Sequence, residues 1–182
     1  MILIALHGKA RSGKDTFARG LLANHGFVRM AFADPLKSAV AGLFNIPQQT
    51  AFSDDKTQVL PAWGLTLRDV LQRFGTEAMR GTFGDDFWIK RWHAEYRECI
   101  KVSNVIVTDL RFPNEAEMIR SMGGTIVHIQ REDGGLAGSA AQHASEQVLP
   151  FEQGDRIVEN NGSLDKLAAK ARMIVNDIEA AQ

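Results

Sequence analysis

Short apolar runs alternate along the chain with longer segments in which apolar residues recur every three or four positions. The runs lie at residues 2–6, 27–32, 104–109, 125–130 and 157–159, and each predicts a strand. Most of the segments between these runs have the spacing of helices that bury one face. Strands that alternate with helices predict an α/β fold in which helices cover both faces of a parallel sheet.

Helix ends are marked by capping residues and glycines. Helices are predicted at about residues 17–24, 33–44, 66–81, 87–99, 113–123 and 164–181. Asp34 followed by Pro35 has the pattern of an N-cap with proline at the first helical position. Thr66 with Asp69 three residues later indicates an acidic variant of the capping box. Residues 45–64 have weak periodicity and predict a loop or a short helix.

The length and composition bound the class of protein. A chain of 182 residues predicts one domain over residues 1–182. The formal net charge of -1 gives no broad basic field, so we expect no polynucleotide partner. Cys99 is the single cysteine, which indicates a reducing compartment, and we expect a cytoplasmic location. No stretch reaches the roughly 18 apolar residues of a membrane span, so we expect no membrane partner.

Residues 8–16 read G-K-A-R-S-G-K-D-T and lie between a predicted strand and a predicted helix. In this order the glycines let backbone N–H groups turn inward around phosphate oxygens, and the helix presents its positive N-terminal end. Lys14 adds a full charge at the outer phosphates. The segment therefore predicts a site for a nucleoside triphosphate. Its candidate residues are Gly8, Arg11, Ser12, Gly13, Lys14, Asp15 and Thr16.

Two aspartates are candidate magnesium ligands. Asp15 stands where serine or threonine usually follows the lysine, and its carboxylate can hold Mg²⁺ directly or through water while Thr16 donates to an inner phosphate. The alternative is that Asp15 only complements the helix dipole. Asp109 ends an apolar strand, where it can orient Mg²⁺ or cap the next helix instead. Arg111 and Asn114 lie on the same loop, and Arg111 could equally form an ion pair with Asp109.

Several cations lie near the starts or edges of predicted helices and loops. A kinase that joins two phosphorylated substrates needs such cations, because arginine matches phosphate oxygens and neutralises charge on the transferring group. The candidates are Arg11 in the glycine loop and Lys37, Arg68, Arg80 and Arg131 elsewhere.

Polar residues that follow Arg68 are candidates for contact with a base or sugar. Gln72, Thr76 and Glu77 come four, eight and nine residues after Arg68, which predicts a shared helix side. The alternative is a solvated helix face. Residues 131–150 are rich in glycine, alanine, serine and glutamine and would suit a mobile cover over an active site. His143 lies in this segment and is a candidate contact to phosphate or sugar.

Four segments of the chain resemble the bacteriophage-type deoxynucleoside monophosphate kinases, which are P-loop kinases. They are residues 11–16 with Gly8, 32–37, 71–77 and 107–115, and their most specific parts are G-K-D-T and T-D-L-R-F-P-N-E. The resemblance implies transfer of the ATP γ-phosphoryl group to a deoxynucleoside monophosphate, with Mg²⁺, to give a diphosphate for DNA synthesis. It also implies a monophosphate-binding helical region at about residues 35–100 and a lid at about residues 131–150.

The resemblance also assigns expected roles to residues. The ATP-binding residues would be those of the glycine loop, with Lys14, Arg11 and Arg131 catalytic and Asp15 and Asp109 at the metal. By the resemblance, Leu36, Lys37, Arg68 and Arg131 would hold the monophosphate. Gln72, Thr76 and Arg111 are further candidate substrate contacts from their positions on the helix and the loop, and Gly138, Ser139 and His143 are candidate lid contacts that no motif assigns. If the chain is encoded by a phage, its location would be the host cytoplasm.

Alternatives of other classes stay open. One is a P-loop kinase for another small acceptor, such as a compound like dephospho-coenzyme A or phosphomevalonate. Another is a nucleotide-binding module without catalysis, although the N-K-x-D signature of guanine-specific switches is absent from the sequence. We expect the aromatic residues of the predicted helix 87–99 to pack in the core, with a homodimer face as the alternative.

Overall fold

The computed structural model describes residues 1–132 and 148–181 of the chain. The chain divides into two compact units, which we name the sheet unit (Met1–Ala31 and Ala94–Gln182) and the helical unit (Phe32–His93). The predicted single domain, with its internal substrate-binding region and lid, stays a prediction. Within the described part of the chain, no helix combines the length and the apolar character needed to cross a bilayer.

The secondary structure alternates as the sequence predicts. The strands, in chain order, are β1 (Leu3–His7), β2 (Phe27–Met30), β3 (Val59–Leu60), β4 (Leu65–Thr66), β5 (Asn104–Val107), β6 (Thr125–Gln130) and β7 (Arg156–Glu159). The helices are α1 (Lys14–Asn24), α2 (Ala33–Leu43), α3 (Gln48–Ala51), α4 (Leu67–Gln72), α5 (Gly81–Phe83), α6 (Phe87–Cys99), α7 (Pro113–Ser121) and α8 (Leu164–Ala180). A π-helical segment, Arg73–Arg80, joins α4 to α5.

The sheet unit contains a five-stranded sheet in the order β2-β5-β1-β6-β7. Every neighbouring pair is parallel, which confirms the predicted α/β fold. In β1 the fully buried side chains of Ile4 and Leu6 pack with Phe17 and Leu21 of α1 and with Leu167 of α8. Because the carboxyl ends of parallel strands share one edge, the residues after β1, β5, β6 and β7 converge there.

The helical unit has a small hydrophobic core of its own. Val40 of α2, Leu60 of β3 and Val70 of α4 are buried together, and β3 pairs with β4 as a small antiparallel hairpin that the weak periodicity did not predict. The predicted capping box at α4 is confirmed, since Thr66 Oγ1 accepts from the Asp69 N–H and Asp69 Oδ2 accepts from the Thr66 N–H. Trp88 and Trp92 of α6 are buried in this unit, and Tyr96 of the same helix, which belongs to the sheet unit, is also buried. The prediction that these aromatic residues pack in the core is confirmed.

One predicted helix start and one predicted N-cap are wrong. Helix α1 begins at Lys14, earlier than predicted, because the Gly13 carbonyl already accepts a hydrogen bond from the Phe17 N–H (3.0 Å). Helix α2 begins at Ala33, so Asp34 and Pro35 lie inside its first turn and Asp34 is not its N-cap. The N-cap is Phe32, which has helical backbone angles of φ −62° and ψ −31°.

The predicted α-helix at residues 66–81 is also corrected. From Arg73 onward the hydrogen bonds are π-helical, so each turn takes one residue more than an α-helical turn. The α-helical spacing therefore fails beyond Gln72, and Ala78, which follows the partly buried Phe74 by four residues, is exposed. Gly75 of the π-helical segment is contacted from two other helices. Its carbonyl accepts from the Trp88 Nε1–H of α6 (2.9 Å), and Leu36 of α2 lies against its α-carbon.

Candidate nucleotide-binding site

The loop between β1 and α1 brings its backbone very close to neighbouring chain segments. A β-carbon on Gly8 would lie 2.3 Å from the Ile129 carbonyl oxygen, and one on Gly13 would lie 2.2 Å from Asn160 Nδ2. Gly13 has φ +103°, a conformation that side chains rarely adopt. Only glycine fits either position, so the loop presents bare backbone amides at the N-terminus of α1.

Charged side chains surround this loop. The Lys14 ammonium donates to the Gly8 carbonyl (2.7 Å) and to the Lys9 carbonyl (2.9 Å), which holds its charge over the loop. Arg11 is exposed and has φ +62°, a left-handed conformation that costs about 1 kcal/mol for a residue with a β-carbon. Asp15 is exposed and Thr16 is half-buried in the first turn of α1. This arrangement can receive a polyphosphate.

His7, the last residue of β1, connects the loop to the segment after β5. Its Nδ1–H donates to the Leu110 carbonyl (3.2 Å), and its Nε2 accepts from the Leu149 N–H (3.1 Å). A ring that donates from one nitrogen and accepts at the other is neutral. Burial is the main cause that lowers the pKa of His7 to about 4, and the nearby cations Lys14 and Arg111 lower it further. The contact holds Leu110, and thereby the adjacent Asp109, beside the start of the loop.

The segment after β5 is fixed by a buried glutamate. Glu115 is 2% exposed, and its Oε2 accepts from the Arg111 N–H (3.0 Å) and the Phe112 N–H (3.1 Å). These contacts place the Glu115 carboxylate at the N-terminus of α7, whose N-cap is Phe112. The N-cap position of α7 is therefore Phe112 and not Asp109. Asp109 itself is half-buried between the buried residues Thr108 and Leu110.

A cleft of about 470 Å³ opens beside the loop. Gly8 and Lys9 form one side of it, and Arg131, Glu132 and Asn161 contribute polar groups from the ends of β6 and β7. It offers both charged and apolar surface within reach of the glycine loop. Its size is that of a small-molecule site.

His128, which lines this cleft, belongs to an ion network centred on the buried Asp155. Asp155 Oδ2 accepts hydrogen bonds from Arg120 Nη2 (2.7 Å) and from the Glu152 N–H (3.0 Å). The same oxygen lies 2.9 Å from His128 Nε2. Burial alone would raise the pKa of Asp155, but hydrogen bonds from Arg120, Glu152 and His128 outweigh burial and hold it below the usual range. The ionised carboxylate therefore ties β6, α7 and the start of β7 together. His128 and His7 also pack edge to face, with ring centroids 5.2 Å apart.

The structure distributes the predicted site residues between the two units. The sheet unit carries Gly8, Arg11, Ser12, Gly13, Lys14, Asp15, Thr16, Asp109, Arg111 and Arg131, all in segments at or after the carboxyl edge of the sheet. The helical unit carries Leu36, Lys37, Arg68, Gln72 and Thr76. Gly138, Ser139 and His143 lie outside the described residues, as does most of the predicted lid.

Within the helical unit, the predicted substrate residues lie on elements that pack together. Helix α2 packs against α4 and against the π-helical segment. Lys37 Nζ is 3.3 Å from Asp34 Oδ1 and 5.1 Å from the centre of the Phe52 ring. Arg80, another candidate cation, is 6% exposed and donates from Nη1 to the Asp85 carbonyl (2.5 Å), so it stabilises the turn before α6.

Two residues of the site were not predicted. Asn160, the residue after β7, donates from Nδ2 to the Ser12 carbonyl (2.8 Å). His7 fixes the segment that contains Asp109, as described above. Both residues lie at the carboxyl end of a strand, and that position is the signal that could have identified them.

The parallel sheet, the glycine loop with its lysine and the aspartate after the neighbouring strand define a P-loop phosphotransferase. A sequence model described as deoxynucleotide monophosphate kinase matches residues 49–171, which is more than half of the chain. The chain belongs to this family, as the resemblance of its motifs predicted.

Individual comparisons agree. A relative from Acanthamoeba polyphaga mimivirus, whose name assigns it to the same family, is 28% identical over 179 residues, which is 91% of this chain and 92% of the relative. The deoxynucleotide monophosphate kinase of Escherichia phage RB69 is 32% identical over 112 residues, which is 60% of this chain and 45% of that protein. The crystal structure of TT1252 from Thermus thermophilus shares the fold, with a TM-score of 0.53, 18% identity and 97% of each chain covered.

Proposed function

We propose that this enzyme transfers the γ-phosphoryl group of ATP to a deoxynucleoside monophosphate and releases a deoxynucleoside diphosphate. The observation that carries the proposal is the glycine loop at the N-terminus of α1, with the Lys14 ammonium fixed over it by two loop carbonyls. Membership of the deoxynucleotide monophosphate kinase family supports the choice of acceptor.

The donor site would consist of the loop amides and the cations around them. Backbone N–H groups at a helix N-terminus bind phosphate oxygens, and the helix dipole favours their negative charge. Lys14 and Arg11 would neutralise the outer phosphates, and Arg131, which lines the neighbouring cleft, would add charge as the phosphoryl group moves. Gly8 and Gly13 have no room for a side chain, so no side chain at these positions covers the loop amides that would bind phosphate.

Asp15 and Asp109 would hold Mg²⁺ at the donor site. When bound, Mg²⁺ would supply positive charge that neutralises the outer phosphates. This ion keeps several of its waters and needs few protein carboxylates. Among the residues that the structure describes, no group of three or more His, Cys, Asp or Glu side chains could hold a metal ion, so a magnesium carried mainly by phosphate and water fits this chain.

The helical unit supplies the features that an acceptor nucleotide needs. Lys37 and Arg68 would bind the monophosphate, with Leu36, Gln72 and Thr76 as further contacts. A separate groove of about 440 Å³ in this unit is lined by Phe44 and Phe74, by the charged residues Arg73 and Glu77 and by smaller apolar residues, and not by the residues proposed to bind the monophosphate. Rings that can stack and charged groups that can form hydrogen bonds suit a nucleobase.

The reaction requires positioning more than proton transfer. The attacking oxygen of a monophosphate is already anionic near neutral pH, so no general base is required. The enzyme must instead hold donor and acceptor in line and stabilise the charge on the moving group. Exclusion of water from the closed site would limit hydrolysis of ATP.

The test is a coupled assay of ADP formation with each of the four deoxynucleoside monophosphates and with their ribonucleotide counterparts. In the Lys14→Ala variant we expect kcat/KM to fall by about 100-fold or more, because a charge at the transferring phosphoryl group is lost. Lys101→Ala is the matched control, since Lys101 is exposed and pairs only at the surface with Glu98. Unchanged turnover in Lys14→Ala would contradict the role of the loop.

The same assay separates the competing functions. If no deoxynucleoside monophosphate stimulates turnover but another small phosphorylated or hydroxyl acceptor does, the enzyme is a kinase of different specificity. If ATP binds tightly and no acceptor accelerates its turnover, the chain is a nucleotide-binding module.

A further inference from the structure

Asn160 links the far end of the sheet to the glycine loop. It follows β7 directly, and its backbone N–H donates to the Gln130 carbonyl at the end of β6 (2.8 Å). Its side-chain Nδ2 donates to the Ser12 carbonyl (2.8 Å). Only the amide nitrogen can face a carbonyl acceptor, so the orientation of the side chain is fixed by this contact. Asn160 is thus anchored to the sheet through its backbone and to the loop through its side chain.

This contact sets the direction of the next backbone amide. The peptide bond between Ser12 and Gly13 is planar and trans, so the Ser12 C=O and the Gly13 N–H point in opposite directions. Because Asn160 holds the carbonyl on one side of the loop, the Gly13 N–H is held toward the other side. Gly13 directly precedes Lys14, the first residue of α1, so this N–H belongs to the anion-binding end of the helix.

The close packing of Asn160 limits how this peptide can move. Its Nδ2 occupies the space that a β-carbon on Gly13 would need, and Leu167 of α8 lies 3.4 Å from the same point. Leu167 is 2% exposed and belongs to the core under α1. Without the Asn160 side chain, the peptide at Gly13 would lose its hydrogen bond and the packing that opposes its rotation, since glycine permits many backbone angles.

We infer that Asn160 is a positioning residue of the phosphate site, which orients the Gly13 N–H toward the polyphosphate of the donor nucleotide. The inference rests on the proposed function only in that the loop binds a polyphosphate. Asn160 acts through the loop backbone and contacts neither the base nor the acceptor. Its removal therefore weakens phosphate binding whether or not a nucleoside is attached.

The test measures binding of two probes by calorimetry, both with magnesium: ATP, and inorganic tripolyphosphate, which has no nucleoside. Asn160→Ala removes the donor without adding charge, and we expect both affinities to fall by roughly tenfold, the effect of one lost hydrogen bond. Asn160→Asp keeps the size of the side chain but turns its donor into a charged acceptor, and we expect a larger loss for both probes. Asn176→Ala is the control, since Asn176 is an exposed residue of α8.

Thermal unfolding without ligand shows whether each variant folds, and binding is measured well below the melting temperature. Should Asn160→Ala fail to fold, Asn160→Asp carries the test because it leaves no cavity. A loss confined to ATP would overturn the inference, because it would mean that Asn160 contacts the nucleoside. Equal affinities in the variants and the wild type would overturn it as well.

Steady-state kinetics add a second readout. In Asn160→Ala we expect the KM for ATP to rise while the KM for the deoxynucleoside monophosphate stays within twofold of the wild-type value. Failure of the proposed function is distinguishable: wild-type protein that binds both probes but phosphorylates no deoxynucleoside monophosphate refutes the proposed acceptor and leaves the inference on Asn160 intact. Wild-type protein that binds neither probe refutes both.

Discussion

The neutral, buried ring of His7 predicts that the protein loses stability between pH 6.5 and pH 4. In the folded protein, His7 is 7% exposed and is held neutral by one donated and one accepted hydrogen bond. Its pKa is lowered from 6.5 to about 4, mainly by burial. As the pH falls below 6.5, the unfolded chain binds a proton at this residue while the folded protein does not. Acid therefore favours the unfolded state.

The size of the effect follows from the two pKa values. One pKa unit of difference corresponds to about 1.4 kcal/mol, and at pH 5 most unfolded chains but few folded ones carry the proton. Linkage then gives a loss of about 2 kcal/mol in the free energy of unfolding at pH 5 relative to neutral pH. The loss is complete below the folded pKa of about 4. Such a change is a large fraction of the stability of an ordinary domain.

Urea unfolding at pH 7.5 and pH 5.0 measures this loss in the wild type and in His7→Gln. Glutamine can donate to one carbonyl and accept from one N–H but does not titrate, so the variant should lose about 2 kcal/mol less than the wild type on acidification. His93→Gln, which removes an exposed histidine, is the control and should keep the wild-type pH dependence. The same loss in His7→Gln and the wild type would refute a neutral His7 as the cause.

Two further substitutions test the loop and the helical unit. Gly8→Ala should abolish measurable binding of magnesium-ATP in calorimetry, because the new β-carbon would lie 2.3 Å from the Ile129 carbonyl oxygen and displace the loop. Wild-type affinity in this variant would show that the loop tolerates the shift. Thr66→Ala should lower the free energy of unfolding by about 1 kcal/mol in urea titrations, because it removes the hydroxyl that caps α4. An unchanged free energy of unfolding would show that the capping contact adds no net stability.

The parts of the fold that were predicted correctly are those encoded by neighbouring residues. The segment from Gly8 to Thr16 contains its own turn residues, its lysine and the start of its helix, so no distant contact is needed to recognise it. Thr66 and Asp69 likewise form their capping box across a single turn. Parallel strands were recognisable because continuous apolar runs such as β5 are buried on both faces.

The errors in the prediction occur where a tertiary contact competes with a local preference. Asp34 and Pro35 have a strong helix-start pattern, yet α2 begins earlier because Phe32 adopts helical angles. Phe32 is 5% exposed, and its ring packs on the ring of Trp92 with centroids 5.2 Å apart. Burial of a large aromatic side chain contributes about 2 kcal/mol or more, which exceeds the typical gain of about 1 kcal/mol from an N-cap. The packing of Phe32 therefore decides where the helix starts.

The π-helical segment has the same kind of cause. Its residues, Arg73–Arg80, carry an ordinary helical pattern in the sequence. The contacts made by Gly75, with the indole of Trp88 at its carbonyl and with Leu36 at its α-carbon, come from two other helices. Because π-helical turns occur frequently at functional sites, the widened turn around Thr76 is a reason to test this part of the helical unit for substrate contacts.

The contacts that shape the phosphate site are the least local of all. His7 meets Leu149, and Asn160 meets Ser12, across 142 and 148 positions of sequence. No periodicity connects such pairs, but the strand order does, because β6 lies beside β1, β7 lies beside β6, and all three strands end at one edge. A polar residue at the carboxyl end of a parallel strand is therefore a candidate site residue, even where no motif surrounds it. Applied to the predicted strands, this rule selects Asn160 as well as Asp109.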